Sequence, residues 1–384
     1  MKIVADENIP FVREAFEQIG QVRTAAGRQI RPDLLADADV LLVRSVTPVG
    51  RALLETSPVT FVATATIGTD HLDTDYLERR HVAWADAAGC NANSVAEYVV
   101  AVLLTLAHHG SFRLRGKTIG VAGVGHVGSR VVRYAQALGM SVLQNDPPVQ
   151  RQTGDPRFVP LEQVLQADFV SVHVPLTRTG PDATWHMVDA TFLQHLRPEA
   201  YLVNTSRGSV ADEKDLLAAL ERGRIAGAVL DVWEHEPDID VGLLARVKLG
   251  TPHIAGYSFD GKVNGTKMIF EATCRHFGLS AAWDPAGLMP PPPHPRLVVP
   301  AASPDDEGVV RWVVKQIYDV EKDDAALRLL AGQSPERRGS YFDRLRRDYP
   351  IRREFGNTEL LLPGDHPDLA DKLRAFGFQV GWTT

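Results

Sequence analysis

From Thr118 to Asp146 the chain reads TIGVAGVGHVGSRVVRYAQALGMSVLQND. An apolar run meets three glycines spaced G-x-G-x-x-G, then an amphipathic stretch, then a second apolar run that ends on an acid. Few folds accommodate that order: it predicts strand, tight turn, helix and parallel strand. Gly123 permits the turn, Gly125 lets backbone approach a pyrophosphate, and Gly128 lets helix and strand pack closely. The amides of His126 and Val127 then open the helix toward phosphate, where its dipole favours an anion. Asp146 stands near the interval of about 20 residues at which an acid binds the adenosine ribose hydroxyls. Its carboxylate repels a 2′-phosphate, and prolines rather than arginine follow it, which favours NAD over NADP.

The flanking sequence repeats the alternation. KIVA, DVLLVR and TFVAT each precede a helix-like stretch, and after the apolar segment SVAEYVVAVLLTLAHH the pattern restarts. The second set of strands reads KTIGVAG, MSVLQND, DFVSVHV, AYLVNTS, AGAVLDV and VKLGTPH. Alternating strands and helices predict parallel sheets covered on both faces, so the class is α/β and the second set forms a complete doubly wound unit. MPPPPHPRLVVP fits neither a helix nor a central strand, because proline fixes φ and lacks an amide donor. It predicts a boundary, followed by a smaller mixed region with helices in DDEGVVRWVVKQIYDVEKD and YFDRLRRDY and strands in TELLLP and FQVGW.

The 384 residues suggest two or three domains. A net charge of −7 without a basic stripe argues against nucleic-acid binding. Two cysteines, Cys90 and Cys274, make no disulfide framework, and a cytoplasmic setting is expected. The first residues lack the apolar core of a secretory signal. No apolar stretch reaches about 18 uninterrupted residues, so no membrane span is expected. His108, His109 and His235 lack partners at ligand spacing, and no metal is expected.

Polar residues cluster at the ends of the later strands, where doubly wound folds hold ligands. Arg207 follows AYLVNTS, Asp231 and Glu236 follow AGAVL, and His253 follows VKLGTP. Each alone reads equally as a surface cation, a loop acid or a satisfied histidine. Together they meet the needs of hydride transfer from a secondary alcohol. An imidazole takes the hydroxyl proton, a neighbouring carboxylate orients it, and arginine holds a substrate carboxylate through two hydrogen bonds. Asp231 could bind the nicotinamide amide.

GVAGVGHVG, NTSRGSVADEKDLLAAL, AGAVLDVWEHEP and TPHIAGYS resemble, in order, the motifs of the D-isomer-specific 2-hydroxyacid dehydrogenases. The resemblance implies a catalytic set of Arg207, Glu236 and His253. It also implies a flavodoxin-like substrate domain in residues 1–92, completed by 257–285, and a Rossmann NAD domain in 93–256, with hinges near Asn93 and Gly256. NAD contacts are expected at Gly123, Gly125, His126, Val127, Gly128, Asp146, Val174, Thr205, Asp231 and Gly256. Val174 departs from a threonine common at that turn, so only a backbone contact is expected there.

VRSVTPV, ATATIGTDHLD, GCNANSVAEYV and HIAGYSFDGKVNGT resemble a branch of the family that acts on a small phosphorylated 2-hydroxy acid. In that branch residues 286–384 correspond to a C-terminal domain that forms a homodimer. Substrate contacts are implied at Ser45, Thr66 and Tyr257, against turn formation for the first two and packing for the third. Arg44 is a further candidate cation, with a salt bridge as its alternative. In the arginine-rich run YFDRLRRDYPIRREF, Arg352 or Arg353 could reach the substrate phosphate from across a dimer, against a helix face paired with acids. Other family substrates, such as 3-phosphoglycerate or glyoxylate, and a non-catalytic NAD-sensing role remain alternatives.

Overall fold

The computed structural model describes residues 1–300 and 306–383, in two compact units. The first joins Met1–Asn91 to Ser258–Pro291, and the second joins Ala92–Tyr257 to Pro292–Thr384. The chain passes between them at the proline run, where missing amide donors prevent helix or sheet from continuing.

In the first unit, β1 (Lys2–Asp6), β2 (Gln21–Ala25), β3 (Val40–Val43), β4 (Phe61–Thr64) and β5 (Ala83–Ala85) form a parallel sheet in the order β2-β1-β3-β4-β5. All residues of β3 and β4 are buried, as expected where helices cover both faces. The sequence reading found β1, β3 and β4 but neither edge strand. β2 mixes polar and apolar residues, and β5 has only three, so neither carries the run of apolar residues that marks a central strand. Helix Phe259–Phe277 returns to this unit, capped by Ser258 Oγ accepting from the Gly261 amide at 2.9 Å and ended by Gly278 at φ 64°.

The second unit carries β6 (Thr118–Ala122), β7 (Ser141–Asn145), β8 (Phe169–Val172), β9 (Tyr201–Asn204), β10 (Gly227–Leu230) and β11 (Leu249–Gly250), all parallel, in the order β11-β10-β9-β8-β6-β7. An isolated parallel bridge from Gln144 to Phe158 extends it past β7, which reproduces the dinucleotide-fold order with its switch point beside β6. The expected α/β architecture is therefore present, with β11 shorter than VKLGTPH suggested.

A third parallel sheet, β12 (Arg296–Val298), β13 (Glu359–Leu362) and β14 (Gln379–Trp382), belongs to the same unit. The expected single helix over DDEGVVRWVVKQIYDVEKD is two, Asp306–Ile317 and Val320–Arg328, because Asp319 turns its side chain to the Glu321 amide and caps the second. Val310, Val313 and Val314 from the first of these share one apolar core with Val99, Val102 and Leu106 of helix Ala92–His109. The C-terminal region is thus packed into the core of the nucleotide-fold unit.

Arg352 makes a buried polar link in that packing. It is 6% exposed, lies 4.3 Å over the Tyr318 ring and donates through Nη2 to the Ala255 carbonyl at 2.6 Å and to Ser94 Oγ. Arg353, also 6% exposed, donates to Asn357 Oδ1 at 2.6 Å. Both arginines are committed inside their own chain, which argues against either reaching a substrate across a dimer. Arg352→Met should destabilise the protein by about 3 kcal/mol, because the change leaves buried acceptors unpaired. A thermal midpoint equal to wild type would contradict that role.

Candidate active site

The glycine turn has the geometry its spacing predicts. Gly123 lies at φ 85°, and a Cβ there would stand 2.6 Å from the His173 carbonyl oxygen and 3.0 Å from Val174 Cγ1. A Cβ on Gly128 would meet the Gly123 carbonyl oxygen at 2.0 Å, so only glycine lets the helix approach. Around Gly125 a Cβ would meet nothing within 4 Å, which leaves room for a ligand. Helix His126–Ala137 begins there without a side-chain cap, so its first amides remain available to an anion. Asp146 ends β7, where Oδ2 accepts from the Val124 amide at 2.8 Å and Oδ1 from the Val149 amide at 3.1 Å. Each oxygen keeps acceptor capacity for a ribose hydroxyl. Turn, free helix amides and acid fit a dinucleotide.

Three strand-end loops converge next to this turn. Gly208, after Arg207, would bring a Cβ within 2.0 Å of the Trp233 carbonyl, so glycine allows the loops after β9 and β10 to touch. Arg207 is half-buried, with Nη1 donating to the Ser206 carbonyl at 2.8 Å. Glu236 Oε1 accepts from the Trp233 amide at 2.9 Å, and its Oε2 meets His253 Nδ1 at 2.7 Å. The His253 side chain remains 32% exposed, so the ring is open to a ligand. Burial raises the Glu236 carboxyl, but the charge and hydrogen bond of His253, the Arg346 guanidinium and the Trp233 amide together hold it below the ordinary value.

Asp231 shapes the loop that carries the histidine. It is 1% exposed, and its Oδ1 accepts from Thr251 Oγ1 at 2.6 Å and from the Ile254 amide at 2.8 Å. Oδ2 accepts from the Ala255 amide at 2.9 Å. The buried Tyr98 hydroxyl donates in turn to Thr251 Oγ1 at 2.8 Å. This cradle holds His253 at φ 56°, a left-handed conformation uncommon for a side chain of its size. Burial raises the Asp231 carboxyl despite those donors and His253.

Among the other expected cofactor contacts, Thr205 Oγ1 lies 3.1 Å from His173 Nδ1, whose Nε2 lies 2.8 Å from Ser171 Oγ. Burial pushes His173 down to about 3, so it is a neutral polar bracket behind the turn. Sequence reasoning passed over it, as it did Thr251, Tyr98 and Arg346. Gly256 and Tyr257 follow the Asp231 cradle, and Tyr257 meets Tyr349 edge-on at 5.8 Å.

Ser45 and Thr66 belong to the other unit. Ser45 is exposed, whereas the Thr66 hydroxyl pairs with Thr64 Oγ1 at 2.7 Å and donates to the Gly68 carbonyl at 3.1 Å. Arg44 bonds the fully buried Asp6 at 2.9 Å, the salt-bridge alternative. Among the described residues no helix is long and apolar enough to cross a membrane, and no cluster of three or more His, Cys, Asp or Glu could hold a metal.

A family model described as D-isomer specific 2-hydroxyacid dehydrogenase, NAD binding domain, matches residues 101–255. One described as Domain of unknown function (DUF3410) matches residues 288–377. The solved D-lactate dehydrogenase from Aquifex aeolicus, complexed with NAD and lactic acid, superposes with a TM-score of 0.62 at 25% identity, over 72% of this chain and 96% of that one. The fold and these matches thus define an NAD-dependent oxidoreductase of the D-2-hydroxyacid dehydrogenase class.

Relatives narrow the class. The chain is 50% identical over 365 residues to the erythronate-4-phosphate dehydrogenase of Salinibacter ruber, covering 92% of each chain. It is 46% identical over 383 residues to that of Marinobacter nauticus, covering 99% of this chain and 100% of the relative. The chain belongs to the erythronate-4-phosphate dehydrogenase family.

Glu213 supports the loop from beneath, with Oε1 accepting from the Glu234 amide at 2.8 Å. Burial pushes its carboxyl up to about 7 from an ordinary 4.5, the Glu234 amide opposing and the Glu234 charge adding to the rise. Between those values the unfolded chain ionises while the folded protein stays protonated, so this group's contribution falls as pH rises. Relative to Glu213→Gln, wild type should therefore lose on the order of 2 kcal/mol between about pH 5 and pH 8. Thermal unfolding of both across that range checks it; a constant offset would contradict it.

Proposed function

We propose that this chain oxidises 4-phospho-D-erythronate at its C2 hydroxyl to 2-oxo-3-hydroxy-4-phosphobutanoate, a step of vitamin B6 synthesis. The observation that carries the catalytic reading is the 2.7 Å contact of His253 Nδ1 with Glu236 Oε2. With the Nδ1 proton directed at Glu236, Nε2 presents a lone pair to a bound hydroxyl. NAD, when bound, supplies the hydride acceptor. As the C2–H bond breaks, the C2 hydroxyl proton passes to His253 Nε2, and the Glu236 carboxylate stabilises the imidazolium that forms. Arg207 holds the substrate carboxylate, a role suited to a planar two-donor cation.

The NAD contacts in this reading are those of the glycine turn, Asp146, Val174, Thr205, Asp231 and Gly256. Ser45, Thr66 and Tyr257 are substrate contacts, so residues 1–92 with 257–285 act as the substrate domain and 93–256 as the NAD domain. Residues 286–384 form a homodimer interface. Support for that comes from apolar side chains left in solvent there, among them Val298 at 59% and Trp382 at 42% exposure, both on the third sheet. The setting is cytoplasmic.

Turnover of 4-phospho-D-erythronate, 3-phosphoglycerate and glycolate, followed by mass-spectrometric detection of each one's 2-oxo product with a different 2-oxo acid present to recycle the cofactor, tests the assignment. The first should be preferred; preference for either of the others would replace the substrate, and turnover of none would favour an NAD-binding sensor. His253→Asn should lower kcat by about 10²–10⁴-fold while NAD affinity stays within a few-fold. Retention of wild-type kcat would remove His253 from the proton transfer.

A further inference from the structure

The arginine-rich helix Pro335–Arg347 sends its cations in two directions. Arg344 and Arg347 are exposed, the latter paired with Asp348 at 2.9 Å. One helical turn after the fully buried Phe342, Arg346 lies instead on the inward face, 6.0 Å over that ring. Its guanidinium also stands 5.6 Å over the Tyr257 ring, close enough for the Tyr257 side chain to favour its charge. Glu236 and Asp231 are near enough to favour its charge, and Arg346 in turn helps to hold the Glu236 carboxyl down. The C-terminal region therefore places a cation beside the acid–histidine pair of its own chain.

That cation lacks a full complement of partners. Its Nε is buried without a hydrogen-bond acceptor. The other inward arginines of the region are differently placed. Arg328 pairs with Asp324 at 2.8 Å, Arg353 serves Asn357, and Arg352, whose Nε and Nη1 are likewise buried without an acceptor, spends its Nη2 on the Ala255 carbonyl. A half-buried guanidinium with an unfilled donor gains from a ligand that brings an anion to that donor. A phosphate monoester fits, because its oxygens can accept from Nε and a terminal nitrogen together.

We propose that Arg346 binds the phosphate of the substrate, beside Tyr257, while Arg207 holds the carboxylate at the other end. The inference rests on the phosphorylated 2-hydroxy acid assigned above. It makes the C-terminal region a part of the substrate site and the source of selectivity for phosphorylated over plain hydroxy acids.

Two arms separate this inference from the substrate assignment. In the first, inorganic phosphate is titrated calorimetrically into the NAD-loaded wild type, Arg346→Met and Arg346→Lys. Met should weaken phosphate binding at least about tenfold and Lys less, since it keeps the charge but loses the two-donor fork. In the second, KM and kcat are compared for 4-phospho-D-erythronate and D-erythronate. Arg346→Met should raise KM for the phosphorylated acid about tenfold or more, with kcat within a few-fold, and change kcat/KM for D-erythronate by no more than a few-fold, the extent to which Glu236 depends on the Arg346 charge. Equal losses for both acids, or unchanged phosphate affinity, would overturn the role. Wild type that binds phosphate through Arg346 yet fails to oxidise 4-phospho-D-erythronate would overturn the substrate assignment while the phosphate site stands. Thermal midpoints of both variants near wild type establish that folded protein is being compared.

Discussion

The Asp231 carboxylate organises the catalytic end of the second unit. Buried at the end of β10, it gathers the Thr251 hydroxyl and the Ile254 and Ala255 amides, and so bends the chain through a left-handed histidine. A serine or asparagine there would offer fewer acceptor sites for the same three donors. The bend directs His253 Nδ1 at Glu236, whose other oxygen is fixed to the Trp233 amide. Gly208 allows the Arg207 loop to lie against that same Trp233 backbone. Position of the base, orientation of the base and placement of the arginine are therefore linked through one short stretch of backbone.

The outer side of the bend is held from the C-terminal region. Ala255 gives its amide to Asp231 and its carbonyl to Arg352 and to Ser94 Oγ, the latter at 2.8 Å. Behind Arg352, Tyr318 and Tyr349 both donate to Asp323 Oδ2, at 3.0 and 2.8 Å. Burial raises the Asp323 carboxyl while these donors and Arg352 oppose it. The last hundred residues thus contribute to the rigidity of the proton-transfer loop, beyond any part in assembly. Shared packing of their valines with helix Ala92–His109 makes the two regions one core.

Much of this was legible from local pattern. The G-x-G-x-x-G turn, Asp146 and the doubly wound alternation depend on neighbours in sequence, so spacing revealed them. Arg207, Glu236 and His253 could be placed at strand ends because parallel sheets align those ends. The edge strands β2 and β5 lacked an apolar signature, and Asp319 broke a helix whose apolar period continued through it. Asp231 is expected from its strand end as a cofactor contact; its further part, gathering amides as far as 24 residues on, is not visible in AGAVLDV. Arg346 lay hidden among five arginines in YFDRLRRDYPIRREF; its one distinguishing signal, a place one turn beyond Phe342, has meaning only once the inward face is known. Arg352 and Arg353 show the converse, since composition suggested ligand binding where both side chains are buried in packing within their own chain.

The claim that Asp231 sets the catalytic geometry is tested most directly by proton NMR of the His253 Nδ1–H in wild type and Asp231→Asn. Asparagine keeps an oxygen for Thr251 and Ile254 but turns an NH2 group toward the Ala255 amide, donor against donor. The account predicts a strongly downfield Nδ1 proton in wild type, from the short bond to Glu236, and its loss in the folded variant. An Asp231→Asn protein that keeps the resonance at its wild-type position would show that His253 is held by something else.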